Sequence, residues 1–238
     1  MVTIEELFSK LDEFPCPEIF QKHLEGFDDV ENIWDVIKRL QKGFVEKAVK
    51  PQILGTIEDG AFIRNKEQIY LGKGSVIEAG AMVCGPAIIG DNVEIRHGAF
   101  VRGHVIICNG AVVGHTSECV RAIYMPGAKS PHFNYVGDSI LGSNVNLGAG
   151  TKLSNLKHDG THVGLMLEGK RVDTGMRKFG SILGDNCQLG CNSVCNPGTI
   201  MESNCMLYGC ASVQGYFPKG SRIKLRQNTS VIPSHSRN

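Results

Sequence analysis

The sequence contains no Cys-x-x-Cys pair, although it has nine cysteines. An odd number of thiols without paired spacing argues against a disulfide framework and against a zinc ribbon. A reduced protein is expected, with thiols packed as small hydrophobes and no bound metal. Also missing is any apolar run near the roughly 18–20 residues needed to span a bilayer. The first ten residues, MVTIEELFSK, carry acidic groups where a secretory signal would carry a basic region and an apolar core. The expectation is a cytoplasmic protein with no membrane partner. Neither sign of charge is in excess: the formal net charge is +1, which leaves no footprint for a nucleic acid.

Glycine, by contrast, is abundant. There are 29 glycines in 238 residues, about twice the roughly 7% average share. They are dispersed through hydrophobic sequence rather than gathered in a linker. That distribution calls for a tight turn every few residues.

A strict period accompanies them. Leu71, Ile77, Val83, Ile89, Ile95, Val101, Ile107 and Val113 recur every six residues. Eight aliphatics in a row at fixed spacing arise by chance about once in 10⁵ trials. Two positions before most of them stands a small residue: Ser75, Ala81, Ala87, Ala99 or Ala111. Six fits neither the 3.6 of a helix nor the 2 of a lone strand. It fits a triangular solenoid, in which each hexapeptide makes one short strand and one turn and three of them close a coil. The aliphatic side chain fills the prism, and the small residue fits the corner. The pattern returns at Leu141, Leu147 and Leu153, and again from Leu183 through Leu189, Cys195, Met201 and Leu207 to Val213. The register slips over residues 119–140, and the repeat is lost over 156–178. The latter is read as an excursion loop carrying a hairpin that turns at Glu168-Gly169-Lys170. A long loop leaving a compact solenoid is uncommon unless it has work to do.

The expected fold is therefore mainly β: a parallel β-helix of hexapeptide repeats over residues 51–215. It is preceded by a short α-helical segment over 1–50 and followed by a basic tail over 216–238. Helical spacing of Ile4, Leu7, Leu11 and Phe14, and of Ile33, Trp34, Ile37, Leu40 and Phe44, supports the first segment. Its expected role is a cap over an open edge of the solenoid. Docking of a partner is the other reading.

Polar residues concentrate where the repeat fails. Residues 128–155, AKSPHFNYVGDSILGSNVNLGAGTKLSN, hold a His, a Tyr and several Asn. Histidine suits a general base, because its ordinary pKa of about 6.5 lies near neutral pH. A base of this kind is what acyl transfer to an amine requires, and His132, at a break in the repeat, can face outward. His158 and His162, in the loop, read as solvated groups.

These residues also carry a resemblance. The stretch His132-Phe133-Asn134-Tyr135-Val136-Gly137-Asp138, followed by Asn146-Leu147-Gly148-Ala149-Gly150, resembles the acetyltransferase half of glucosamine-1-phosphate N-acetyltransferases. Val101-Arg102-Gly103 and Lys178-Phe179 are similar to further motifs of that family, and the likeness covers about residues 70–226. It implies a left-handed winding and acetyl-CoA as co-substrate. It also implies an amino-sugar phosphate, with glucosamine-1-phosphate foremost, as acceptor and a homotrimer as the assembly. By the same resemblance His132 would be the base, and Arg102, Tyr135 and Lys178 would hold the phosphate. Asn146 would orient the sugar. Ala149, Asn155, Cys191, Gly209 and Arg226 would lie along acetyl-CoA, Cys191 standing where the family has a serine.

Some positions depart from the pattern. A second phosphate-binding lysine falls at Val120, with Arg121 adjacent, and a tyrosine after Asn155 is replaced by Leu156. Residues 1–70 contain no Gly-rich loop of the LAAGxGTRM type, so uridylyl transfer is not expected of this sequence. Three other readings stay open. One is a different sugar or nucleotide-sugar acyltransferase on the same scaffold. Another is a non-catalytic structural or regulatory solenoid. The last is a metal-dependent hydratase using His97, His104 and His115.

Overall fold

A computed structural model describes residues 4–167 and 169–227. The first strand begins at Gln52, and short parallel strands then wind as a β-helix of about ten turns. On one face, which we call the first, the inward residues Ile53, Leu71, Ile89, Ile107, Tyr124, Leu141, Leu183, Met201 and Phe217 stack in register. The second face stacks Ile57, Ile77, Ile95, Val113, Ser130 and then Leu147, Leu189, Leu207 and Ile223. The third stacks Ile63, Val83, Val101, Cys119, Val136, Leu153, Cys195 and Val213.

The six-residue period matches these stacks. Leu71, Ile77, Val83, Ile89, Ile95, Val101, Ile107 and Val113 are all fully buried inside the prism. Ser75, Ala81, Ala87, Ala99 and Ala111 sit at its corners with almost no exposure. Polar members are satisfied there: Ser75 Oγ donates to Gly90 O at 2.6 Å and accepts from Val93 N at 2.8 Å.

The slip over 119–140 has a simple geometry. Val101 pairs Cys119 eighteen residues on, but Cys119 pairs Val136 and Val136 pairs Leu153 at seventeen. Two successive coils are each one residue short. The missing residue comes out of the corner between the third and first faces, where Arg121 and Asp138 take positive φ of 45° and 46°. The strands Glu118–Tyr124 and Tyr135–Leu141 run continuously around that corner. Removing a residue from the corner rather than from a strand preserves which side chains point inward. One inward position in these coils is polar: Ser130 occupies the slot between Val113 and Leu147. Tyr124, also fully buried, fills the space, and its hydroxyl lies 2.9 Å from Ser130 Oγ. Tyr124→Phe is expected to leave Ser130 short of a partner and to lower stability by about 1–2 kcal/mol, read as a drop in urea midpoint at unchanged m.

The helical segment does not cap an end. It lies over the first face, and this corrects the expectation of an edge cap. Ile88, Ile106, Ile123, Ile140, Ile182 and Ile200 project outward from that face. They join Leu7, Phe8, Ile19, Phe20, Trp34, Ile37, Leu40 and Phe44 in a second apolar cluster. An uncovered isoleucine stripe of this length would be costly, since covering each side chain is worth roughly 2 kcal/mol. The segment consists of short helices at Ile4–Leu7, Asp35–Gln41 and Phe44–Ala48, with 3-10 turns at Leu11–Glu13 and Pro17–Phe20. Arg39, 1% exposed, holds it together by donating to the carbonyls of Glu18, Ile19, Gln21, Lys22 and Asp28 at 2.7–3.3 Å. Ser9 Oγ then ties it to the solenoid through Asp185 Oδ2 at 2.6 Å.

Two other boundaries differ from the sequence reading. Strands Tyr216–Phe217 and Arg222–Ile223 still pair with the coils below, so the solenoid continues beyond residue 215 to Ile223. The basic tail beyond residue 227 lies outside the described residues. The excursion loop carries an antiparallel hairpin, Gly164–Leu167 against Lys170–Asp173. Lys170 thus belongs to a strand rather than to the turn, and Glu168 lies outside the described residues. Val163, Leu165, Met176 and Phe179 bury the root of the loop in the same cluster as the helical layer. No helix among the described residues is long and apolar enough to cross a membrane.

Candidate active site

The corner between the second and third faces presents one residue per coil. Thr116 N donates to His97 O at 3.3 Å, Phe133 N to His115 O at 3.0 Å and Gly150 N to His132 O at 3.0 Å. Further along, Asn192 N donates to Ala149 O at 2.8 Å and Cys210 N to Cys191 O at 2.9 Å. These bonds place His97, His115, His132, Ala149 and Cys191 on one line parallel to the solenoid axis, with Gly209 against Cys191 at its end. His132, Ala149, Cys191 and Gly209, singled out from the sequence, are brought together. The His132 ring is exposed, and its backbone N–H donates to Asn134 Oδ1 at 3.0 Å. Beyond it the column carries small side chains, an open track along which an extended chain can lie. On the other side, the His97 and His115 rings stack at 5.7 Å and 12°, and Phe133 meets His115 edge-on at 5.5 Å.

The two flanking faces hold most of the remaining candidates. Asn146 lies on the second face, paired with Lys129 and Gln188. On the third face Phe100, Glu118, Tyr135 and Lys152 form a register column. Arg102, just past Phe100, donates to Glu118 Oε1 at 2.6 Å. Both partners of this pair are substantially exposed, so it is worth only about 0–1 kcal/mol and can exchange for an anion. Tyr135 is half-buried, and burial pushes its hydroxyl above the ordinary range, so it acts as a neutral hydrogen-bonding group.

Asn155 and Lys178 stand elsewhere, at the far end of the third face. Asn155 is not on the corner line with the other residues expected along acetyl-CoA. It is 8% exposed, and its Nδ2 donates to Asp138 Oδ2 at 2.5 Å. Lys178 is exposed at the exit of the excursion loop, bridged to Leu156. Arg226 is exposed three residues past Ile223, the last second-face residue, which pairs Leu207 two residues before Gly209.

Arg121, next to Val120, is engaged by a buried carboxylate. Its Nε and Nη2 grip Asp138 at 2.6 and 2.9 Å, and this hydrogen-bonded carboxylate holds the guanidinium pKa above its ordinary value. Asp138 has no solvent exposure. The sequence reading missed it as a structural hub, although the signal was present: Arg121 and Asp138 are seventeen residues apart, one shortened coil.

Cys119 and Cys195 point into the prism, where burial pushes both thiols up to about 12. They are fillers rather than nucleophiles. Among the described residues there is no group of three or more His, Cys, Asp or Glu that could hold a metal ion. His104 lies on a different corner from His97 and His115, bonded through its N–H to Pro86 O at 2.7 Å, so the three do not converge as a hydratase would need.

Residues 68–103 match the family described as bacterial transferase hexapeptide (six repeats). The chain is 32% identical over 185 residues to a bifunctional sugar-1-phosphate nucleotidylyltransferase/acetyltransferase of Sulfurisphaera tokodaii, covering 78% of this chain and 45% of that one. It is 34% identical over 185 residues to the bifunctional protein GlmU of Methanocaldococcus jannaschii, covering 77% and 44%. The chain thus spans less than half the length of these relatives. It is a hexapeptide-repeat protein, homologous over most of its length to the acetyltransferase half of the bifunctional sugar-1-phosphate nucleotidylyltransferase/acetyltransferases.

Proposed function

We propose that this protein is an acetyl-CoA-dependent N-acetyltransferase whose acceptor is an amino-sugar phosphate, glucosamine-1-phosphate foremost. The observation that carries the reading is the corner line itself: an outward histidine followed, coil after coil, by Ala149, Cys191 and Gly209. A pantetheine arm lying against small side chains would bring the thioester up to His132. The acceptor amine would attack the thioester carbonyl carbon while His132 takes a proton from the nitrogen. The carbon–sulfur bond then breaks, and coenzyme A leaves as the thiol after protonation. No enzyme nucleophile is needed, in keeping with the burial of Cys119 and Cys195.

On the acceptor side, Tyr135, Arg102 and Lys178 would take the phosphate, and Asn146 would take the sugar. Arg102 would exchange Glu118 for the phosphate at little cost, since theirs is a surface pair. Because His132 stands on an open corner, a second copy of the chain would supply the missing wall, and a closed three-fold ring does this for every site at once.

The test is release of free thiol from acetyl-CoA by the wild-type protein in the presence of glucosamine-1-phosphate. Turnover dependent on both substrates is expected. Absence of turnover across a panel of amino-sugar phosphates, together with no thermal shift on adding coenzyme A, would overturn the reading.

A further inference from the structure

One side chain of the helical layer hydrogen-bonds to the far end of the third face. Gln41, the last residue of the Asp35–Gln41 helix, donates from Nε2 to Asp138 Oδ1 at 2.8 Å and to Lys178 O at 2.8 Å. A carboxamide nitrogen has two hydrogens, and both are used. Asp138 in turn accepts from Arg121 Nε, Arg121 Nη2 and Asn155 Nδ2 at 2.6, 2.9 and 2.5 Å.

Two routes lead from this carboxylate to groups assigned above to the phosphate. The first runs through Asn155, whose amide is oriented by Asp138 and packs with the Tyr135 hydroxyl against Gly137. Gly137 makes room for that contact. A Cβ there would stand 2.6 Å from the Tyr135 hydroxyl and 2.7 Å from Asn155 Nδ2. The second runs through the loop exit. Phe179 N donates to Asn155 O at 2.9 Å, Gly180 N donates to Asp138 O at 2.9 Å, and Gln41 closes on the Lys178 carbonyl. Tyr135 and Lys178 therefore hang from the same buried carboxylate, one by a side-chain amide and the other by the chain itself.

We infer that Gln41 is a positioning residue: by clipping the Lys178 carbonyl to Asp138, the N-terminal helix sets the distance between Lys178 and Tyr135 and with it the affinity for the acceptor's phosphate. The inference rests on the acceptor site proposed above. It gives the helical layer a part in substrate recognition besides covering the isoleucine face. Gln41 is exposed at a helix end, so Gln41→Met removes both bonds while keeping side-chain length and helix preference.

Kinetics of the wild type, Gln41→Met, Lys178→Ala and the double variant test it. In Gln41→Met, KM for glucosamine-1-phosphate should rise about fivefold, with KM for acetyl-CoA and kcat nearly unchanged. In the Lys178→Ala background the same substitution should add little, because the residue it positions is gone. Fully additive effects, or equal changes in both KM values, would overturn the assignment. Amide hydrogen exchange gives a readout that needs no turnover: Gln41→Met should speed exchange at Phe179 and Gly180 while leaving Ile182 and Leu183 protected. Equal exchange in the two proteins would overturn the clip even in an active enzyme. A wild type without turnover would instead sink the acetyltransferase reading, and exchange alone would then decide the clip.

Discussion

His132→Ala is expected to lower turnover by about a hundredfold or more while leaving the fold and the KM for acetyl-CoA nearly as they are. The fold should survive because the ring is exposed. The ties of this residue to its neighbours are main-chain ones: its N–H to Asn134 Oδ1, its carbonyl to Gly150 N and its register with His115. Truncation at Cβ removes none of them. The loss in rate should be large because His132 is the corner-line histidine next to the small-residue track: His97 and His115 lie on its other side, with their Nδ1 atoms bonded to Ala79 O and His97 O at 2.7 and 2.9 Å and Phe133 edge-on against His115. Cys191 and Gly209 lie past His132, and Lys129 and Asn146 stand on the next face. Thiol release under saturating substrates measures the effect, and a thermal melt confirms that the variant is folded. Equal turnover in the two proteins would remove His132 as the base.

Gly114→Ala is expected to cost about 3 kcal/mol of stability through a clash that no rotamer relieves. A Cβ at Gly114 would lie 1.9 Å from Pro131 O, 2.3 Å from Pro131 C and 2.4 Å from Pro131 Cα. All three are backbone atoms of the next coil, so relief requires the coils to part. Pro131 immediately precedes His132, and the paired residue on the lower coil is His115. A variant that folds at low temperature should therefore also lose activity, since the corner that carries His132, the proposed base, has been lifted. The urea midpoint and the residual rate measure the two effects separately. A midpoint equal to wild type would mean that the ladder gives way there at no cost.

The solenoid was legible in the sequence because its period is short and repeated. Each hexapeptide delivers one side chain to a narrow interior, and exceptions such as Ser130 are few and compensated by neighbours such as Tyr124. The position of the helical layer was harder to see, and the edge-cap expectation failed for a physical reason. The outward stripe recurs only once per coil, as Ile88, Ile106, Ile123, Ile140, Ile182 and Ile200, and each precedes an inward aliphatic or aromatic residue. Against the stronger six-residue signal such pairs read as strand propensity, when they mark a face with two dry sides.

The corner line of the site was legible in part. His132 and Ala149 are seventeen residues apart, Ala149 and Cys191 forty-two, and Cys191 and Gly209 eighteen. These are the coil lengths once the shortened coils and the excursion are counted. Asn155, Asp138, Gln41 and Lys178 were not legible as a group. Their meeting depends on where a loop re-enters and where a separate helix ends, and no spacing encodes either.

The helical layer also changes how the molecule can come apart. A bare solenoid can fray from either end, because each coil touches only the coils above and below it. Here one apolar sheet of contacts runs sideways from Ile88 to Ile200, across the coils that carry His132 and Tyr135. No coil in that span can leave without stripping cover from its neighbours. The layer works as a splint along the middle of the rod, so the coils that carry His132 and Tyr135 unfold together or not at all, and fraying is confined to the end coils on either side.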